Sequence, residues 1–342
     1  MVNSFGKRLI SFKPSWAGDG VPLPLHTRSR SVSEGLKLQG IRHLPMKYVA
    51  GSPLMAKYPW NTVKAKPEYN WPVQIDKIVD NTVYLKQPLR LDVLPEWKVG
   101  FKAIGSYIQE SGIENLTINM LGTPLRTTHL ENLGYNGIYF NRAINCWTRN
   151  ITIKNAENGL IISQSKNITA KKINFTGDVK MHHATANRFA AADILISDFQ
   201  INSQVFHGIN VENFSSGNVW SRGKMLHGTF DSHRGLPFDV IRTEISTQND
   251  SSPGGAKKAG PFNGKNVVHW NVNVTGNLAK FVYQPDAHSS GTLVGIRGVA
   301  IDLSCAWAMV CGDKNVVVAD DGLTPIPGNL YEAQLTLRRR RK

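Results

Sequence analysis

The sequence predicts an all-β chain wound as a right-handed parallel β-helix, with short strands stacked coil upon coil. Two series of β-rich segments recur in step. The first runs Asn136-Gly-Ile-Tyr-Phe-Asn-Arg142, Asn158-Gly-Leu-Ile-Ile-Ser-Gln164, His182-His-Ala-Thr-Ala-Asn-Arg188, His207-Gly-Ile-Asn-Val-Glu-Asn213 and His227-Gly-Thr-Phe-Asp-Ser-His233, with starts 22, 24, 25 and 20 residues apart. The second runs Ile151-Thr-Ile-Lys-Asn155, Ile173-Asn-Phe-Thr-Gly177, Phe199-Gln-Ile-Asn-Ser203, Val219-Trp-Ser-Arg-Gly223 and Ile241-Arg-Thr-Glu-Ile245, offset by 22, 26, 20 and 22. Asn, Gly and Ser punctuate these runs, and helical periodicity between them is almost absent. A coil of this length buries its inner face only when a neighbour stacks on it, so the period itself argues for a solenoid. The Leu/Asn consensus of leucine-rich repeats is missing.

Residues 1–105 carry no repeat and read as an irregular N-terminal cap, with one hairpin, Ile75–Lys86, around an Asp80–Asn81 turn. Residues 106–337 read as the β-helix. Within it, Thr247–Asn266 is rich in Ser, Gly, Pro and Lys, long for a plain connection, and placed to flank a groove. Coils resume at Val267–Val274, near Gly295 and at Asn315–Ala319. Pro327–Leu335 reads as a short closing helix, and residues 338–342 as a basic tail.

Period-2 alternation sorts the faces. In the first series Ile138, Phe140, Leu160, Ile162, Ala184, Ala186, Ile209 and Val211 are expected inward, and Tyr139, Asn141, Ile161, Ser163, Thr185, Asn187, Asn210 and Glu212 outward. In the second series Trp220, Arg222, Arg242 and Glu244 are expected outside, with the polar residues at 152, 154, 174, 176, 200 and 202.

The 342 residues carry 40 Lys+Arg against 25 Asp+Glu, a net charge of +15, which favours an acidic partner. Cations are dispersed and no nucleic-acid recognition motif is present, so an anionic polysaccharide is the expected partner, with no nucleic acid and no membrane. No apolar run approaches the roughly 20 residues of a membrane span, and no signal peptide is visible. Cys146, Cys305 and Cys311 are too few for a disulfide framework or a zinc knuckle. Asn-x-Ser/Thr sequons at Asn115, Asn150, Asn167, Asn174, Asn213, Asn249 and Asn273 suit an extracellular or cell-surface protein, although Asn-rich strands also produce them by chance.

Gly134-Tyr-Asn-Gly-Ile-Tyr-Phe140, Asn145-Cys-Trp-Thr-Arg-Asn-Ile-Thr-Ile153, Phe230-Asp-Ser-His-Arg-Gly-Leu-Pro-Phe238 and Asn329-Leu-Tyr-Glu-Ala-Gln-Leu335 resemble bacterial proteins of the pectate-lyase superfamily. The similarity spans roughly residues 75–337. It implies a right-handed β-helix with carbohydrate-active relatives. It transfers no catalytic residue, because the paired aspartates of polygalacturonases and the aspartate set of calcium-dependent pectate lyases are both missing.

Stacking lets functional groups be read down columns. One column reads Asn136, Asn158, His182, His207 and His227, and another Arg142, Gln164, Arg188, Asn213 and His233, with Asp231 breaking the apolar inner pattern. Asn136 and Asn158 read as a structural amide ladder. β-Elimination from a uronate needs a cation at the carboxylate, a base for the C5 proton and an acid for the leaving oxygen. The catalytic candidates are therefore His207, His227, Asp231, His233 and Arg234. Lys180, His182, Arg188, Glu212, Trp220 and Arg222 are the substrate-binding candidates, with Trp220 as a sugar-stacking platform. Hydrolysis would need two carboxylates, for which Asp231 and Glu212 are the plausible pair. No cofactor is expected, a metal on His182, His207, His227 and Asp231 being the alternative. A polysaccharide lyase thus stands ahead of a glycoside hydrolase, and a non-catalytic glycan-binding or structural β-helix is the rival reading.

Overall fold

The computed structural model describes residues 9–14, 71–90, 99–125, 128, 131, 134–248, 254–255, 262–277, 280–283, 288, 290–304 and 316–340. Cys305, Cys311, the Asn249 sequon, most of residues 1–70, and Arg341 and Lys342 of the basic tail fall outside them.

The chain divides into two compact units. The first holds an antiparallel sheet of Leu9–Pro14, Trp71–Val79, Thr82–Leu85 and Val99–Ala103. Its hairpin turns at Asp80, in the left-handed region at φ 50°, and carries a register shift between Ile75 and Lys77, as the alternation predicted apart from the bulge.

The second unit is a parallel β-helix. A short sheet stacks Asn136–Asn141, Asn158–Ser163, Met181–Arg188, Val205–Val211 and Phe230–Ser232. A long sheet runs from Ile108–Gln109 to Val317–Ala319. Every ladder between coils is parallel.

The long sheet bends at a left-handed residue that holds the same place within each coil, besides a second such column nearer the strand starts at Asn145, Asn167 and Asp193. Asn115, Asn150, Lys172, Asp198, Arg222, Glu244 and Asn271 are paired in register, and all have φ between 53° and 58°. Gly295, at φ 66°, continues the column. A left-handed residue takes a place in the chain without taking one in the alternation. Inward positions therefore fall at Thr148 and then at Ile151 and Ile153, three residues apart across the bend rather than two.

That interruption corrects the outward assignment of Trp220 and Arg242. The column before the bend reads Thr148, Ala170, Ile196, Trp220, Arg242, His269 and Leu293, and each is essentially without solvent contact. Beyond the bend, Ile151, Ile173, Phe199, Gly223, Ile245, Val272 and Ile296 line the interior as expected. Burying each such Ile or Phe stabilises the stack by about 1.5–3 kcal/mol.

A second correction concerns the short sheet. Asn158 pairs with His183, not His182, and Leu160 with Thr185. The inner columns are therefore Ile138, Leu160, Thr185, Ile209, Phe230 and Phe140, Ile162, Asn187, Val211, Ser232, so Thr185 and Asn187 point inward. The Trp220 indole Nε1 donates to Thr185 Oγ1 at 3.0 Å. Arg242, at the heart of the stack, donates to the Asp231 carbonyl at 3.1 Å and to Ser232 Oγ at 3.0 Å.

The sequon asparagines Asn115, Asn150 and Asn167 belong to amide ladders: Asn150 donates to Asn115 and Asn167 to Asn145. The helix runs Leu330–Arg340, so Arg338, Arg339 and Arg340 lie in its last turn, where cations suit the helix dipole. Asn329 caps it, accepting from the Glu332 N–H at 3.0 Å, and its amide donates to Ser221 and Glu244 at 2.8 Å, which docks the helix on the long sheet. Among the described residues no helix is long and apolar enough to cross a membrane.

Candidate functional site

Three outward columns of the short sheet converge on the coils Met181–Arg188, Val205–Val211 and Phe230–Ser232. The first is Asn136, Asn158, His183, His207, and the second Tyr139, Ile161, Ala186, Asn210, Asp231. Continuing the register, the third is Asn141, Ser163, Arg188, Glu212, His233. Down these columns the imidazole, carboxylate and guanidinium groups gather on the later coils.

Asp231 is the hub. It has no exposed surface, although its strand position faces away from the core. Gly255 returns over it and donates its N–H to one carboxylate oxygen, while the Asn210 amide donates to the other at 2.5 Å. His207 Nδ1 lies 3.8 Å and His183 Nε2 3.9 Å from that second oxygen. Burial pushes the Asp231 carboxyl up, but the His207 and His233 imidazoles and the two donated hydrogen bonds outweigh it, and the net pKa is lowered.

The histidines form a compact group. Ring centroids are 4.1 Å apart for His182 and His183, 5.1 Å for His183 and His207, and 5.4 Å for His182 and His207. His233 packs edge-on to His207 at 6.3 Å. His183 is buried, with Nδ1 at 3.1 Å from both Asn158 Oδ1 and Arg188 Nη2. Burial, then the neighbouring His182 and Arg188, hold its pKa well below that of a free imidazole. Arg188 Nε is 3.2 Å from Glu212 Oε1, an ion pair too bent to be a hydrogen bond, and Arg234 Nε approaches the other Glu212 oxygen at 3.9 Å.

Of the residues singled out from sequence, His182, Arg188, His207, Glu212, Asp231, His233 and Arg234 come together on this face. His227 does not join the column: Gly228 stands at the level of His207, and His227 Nε2 meets Gln204 at 3.0 Å. Lys180 lies over the Phe206 ring at 3.9 Å. Trp220 is inside the core and offers no sugar platform. Arg222 sits in the bend column of the long sheet, paired with Asp198 at 2.7 Å and with Glu332. His183 and Asn210 are the members of this cluster that column reading missed. The His182-His183 doublet was the available signal, since either residue fits the repeat with a one-residue change in coil length.

Residues 204–341 match a family described as a domain of unknown function (DUF4955), which covers less than half of the chain. The matched region includes His207, Glu212, Asp231 and His233. No curated protein matches the sequence. A similar solved structure is that of the tailspike protein gp49 from Pseudomonas phage LKA1, 10% identical, with a TM-score of 0.33 over 77% of this chain. The match spans 55% of that protein's chain, and at this similarity it speaks to neither activity nor ligand.

Proposed function

We propose that the short-sheet face binds and cleaves an acidic polysaccharide by β-elimination, at a cell surface or outside the cell. The observation that carries this reading is His207, part-exposed, 3.8 Å from the fully buried Asp231 carboxylate, beside two arginines gripped by Glu212. A buried carboxylate fixes the imidazole and stabilises its protonated form, which is what a general base requires. Arg188 and Arg234 neutralise the uronate carboxylate, which acidifies the C5 proton. His207 takes that proton, the electron pair forms the C4=C5 bond, and the C4–O bond breaks with a proton supplied by His233. Hydrolysis is the weaker reading because Asp231 has no exposed surface and Glu212 is engaged by both arginines. The net positive charge and the resemblance to the pectate-lyase superfamily point the same way.

Incubation with a panel of uronate polysaccharides tests it. Ultraviolet-absorbing unsaturated products, lost in His207→Gln, are expected. New reducing ends without unsaturation would move the assignment to hydrolysis, and binding without any product would make the face a lectin-like surface.

A further inference from the structure

The histidines outnumber what an elimination site uses, and two of them, His182 and His183, have no step in the chemistry above. We propose that His182, His183 and His207 form a binding site for a late first-row divalent ion such as zinc.

The geometry is the first ground. One ring nitrogen from each of the three lies within 4.8 Å of the others. A histidine ligating at about 2.1 Å places its ring centroid about 3.2 Å from the ion, so that rings at tetrahedral angles stand about 5.2 Å apart. The pairs His183–His207 and His182–His207, at 5.1 and 5.4 Å, already have this spacing. Only His182 and His183, at 4.1 Å, must open by about 1 Å.

Outer groups supply the second ground. The Asp231 carboxylate stands behind both His183 and His207, at 3.9 and 3.8 Å, in the position from which a carboxylate orients a ligating imidazole and raises its basicity. The Asn210 amide donates to the same carboxylate oxygen, and the Gly255 N–H holds the other. Imidazole ligands select zinc, copper, nickel or cobalt over magnesium or calcium.

Two groups hold the His183 Nδ1 that an ion would take: Asn158 Oδ1 lies 3.1 Å from it, and Arg188 Nη2, also at 3.1 Å, brings a positive charge to the edge of the site. Its Nε already faces Glu212, so the guanidinium can give up the imidazole without losing its ion pair. The site is a claim about binding and does not depend on the proposed elimination. An ion there takes an imidazole that the elimination needs, so loading and proton abstraction compete for His207.

Titration of the tag-free full chain with Zn²⁺ by calorimetry, and with Co²⁺ by absorption spectroscopy, tests the site without substrate. We expect one ion per chain, a dissociation constant on the order of 1 μM or below, and cobalt bands of a four- or five-coordinate ion. His182→Gln, on a partly exposed side chain, should weaken binding by more than the roughly 10–100-fold that losing an outer carboxylate costs. Arg188→Gln should tighten it, because a competing cation is removed. His227→Gln should leave it unchanged. No heat at stoichiometric Zn²⁺, equal affinity in His182→Gln and the parent, or weaker binding in Arg188→Gln would overturn the assignment.

Discussion

The Trp220 indole donates to Thr185 Oγ1 across the interior of the coil stack, 3.0 Å from nitrogen to oxygen, with both residues closed to solvent. Thr185→Val keeps the shape but leaves the buried indole N–H without an acceptor, a loss of about 1–3 kcal/mol. Thr185→Ser, which keeps the acceptor, should cost less. Denaturant melts of the two variants check this, and equal stabilities would mean that the bond contributes nothing.

Stability should fall as the solution is acidified below the ordinary histidine range. His183 and His269 are buried, and burial holds both well below an unperturbed imidazole, whose pKa is about 6.5. The unfolded chain therefore takes up protons that the native state refuses. Their contribution is fully present above pH 6.5 and is lost as pH falls toward their folded pKa values. The slope is about 1.4 kcal/mol per pH unit for each histidine, or about 2.7 for the two, in metal-free protein. Urea midpoints measured across this range should show it, and His183→Asn should remove about half.

His207→Gln should lower elimination turnover by the roughly 10²–10⁴-fold that a positioned base contributes, with little change in melting temperature. A turnover loss matched by unfolding would return His207 to a structural role.

Arg222→Ala should leave turnover unchanged. Its partners, Asp198 and Glu332, belong to the bend and the terminal helix, and its pair with Asp198 is part-exposed, so the variant should lose only about 0.2–1 kcal/mol. A fall in activity at unchanged stability would put Arg222 back among the substrate contacts.

Gly159→Ala tests the closeness of adjacent coils. A Cβ there would meet the Phe175 ring and come within 2.6 Å of the Ala184 carbonyl oxygen, and backbone cannot swing aside as a side chain can. Overpacking of this kind costs about 1–3 kcal/mol. A variant as stable as the parent would show that the coils can separate.

The repeats were legible because each coil must present apolar residues to its neighbours. Ile138, Leu160 and Ile209 announce the short sheet, and Ile151, Ile173 and Ile245 the long one. Hidden from alternation were the single left-handed residues that reset it. Nothing marks Lys172, Arg222 or Glu244 as bend residues, since their side chains are ordinary strand-surface types and only the neighbouring coils hold φ positive. That is why Trp220 and Arg242 were placed on the wrong side. Within the candidate site, His207 and His233 were legible as ionisable groups recurring down the coils, whereas Asp231, read as interrupting the inner pattern, stands one register over, in the outward column with Asn210. His183 was not legible, because a doublet of histidines offers two registers one residue apart, and a slip of one turns every side chain over.

The stacked bend has a consequence for how such a chain can change length. Loss of one residue between two bends transposes the inner and outer faces of that strand, putting Ile or Phe into water and charge into the core. Loss of the 22 residues from Asn150 to the position before Lys172 instead removes one bend with its coil and joins positions already in register. Whole coils are therefore the natural unit of insertion and deletion here. The histidine-bearing face could be moved along the axis by adding coils beneath it, without redesign of a single contact within it.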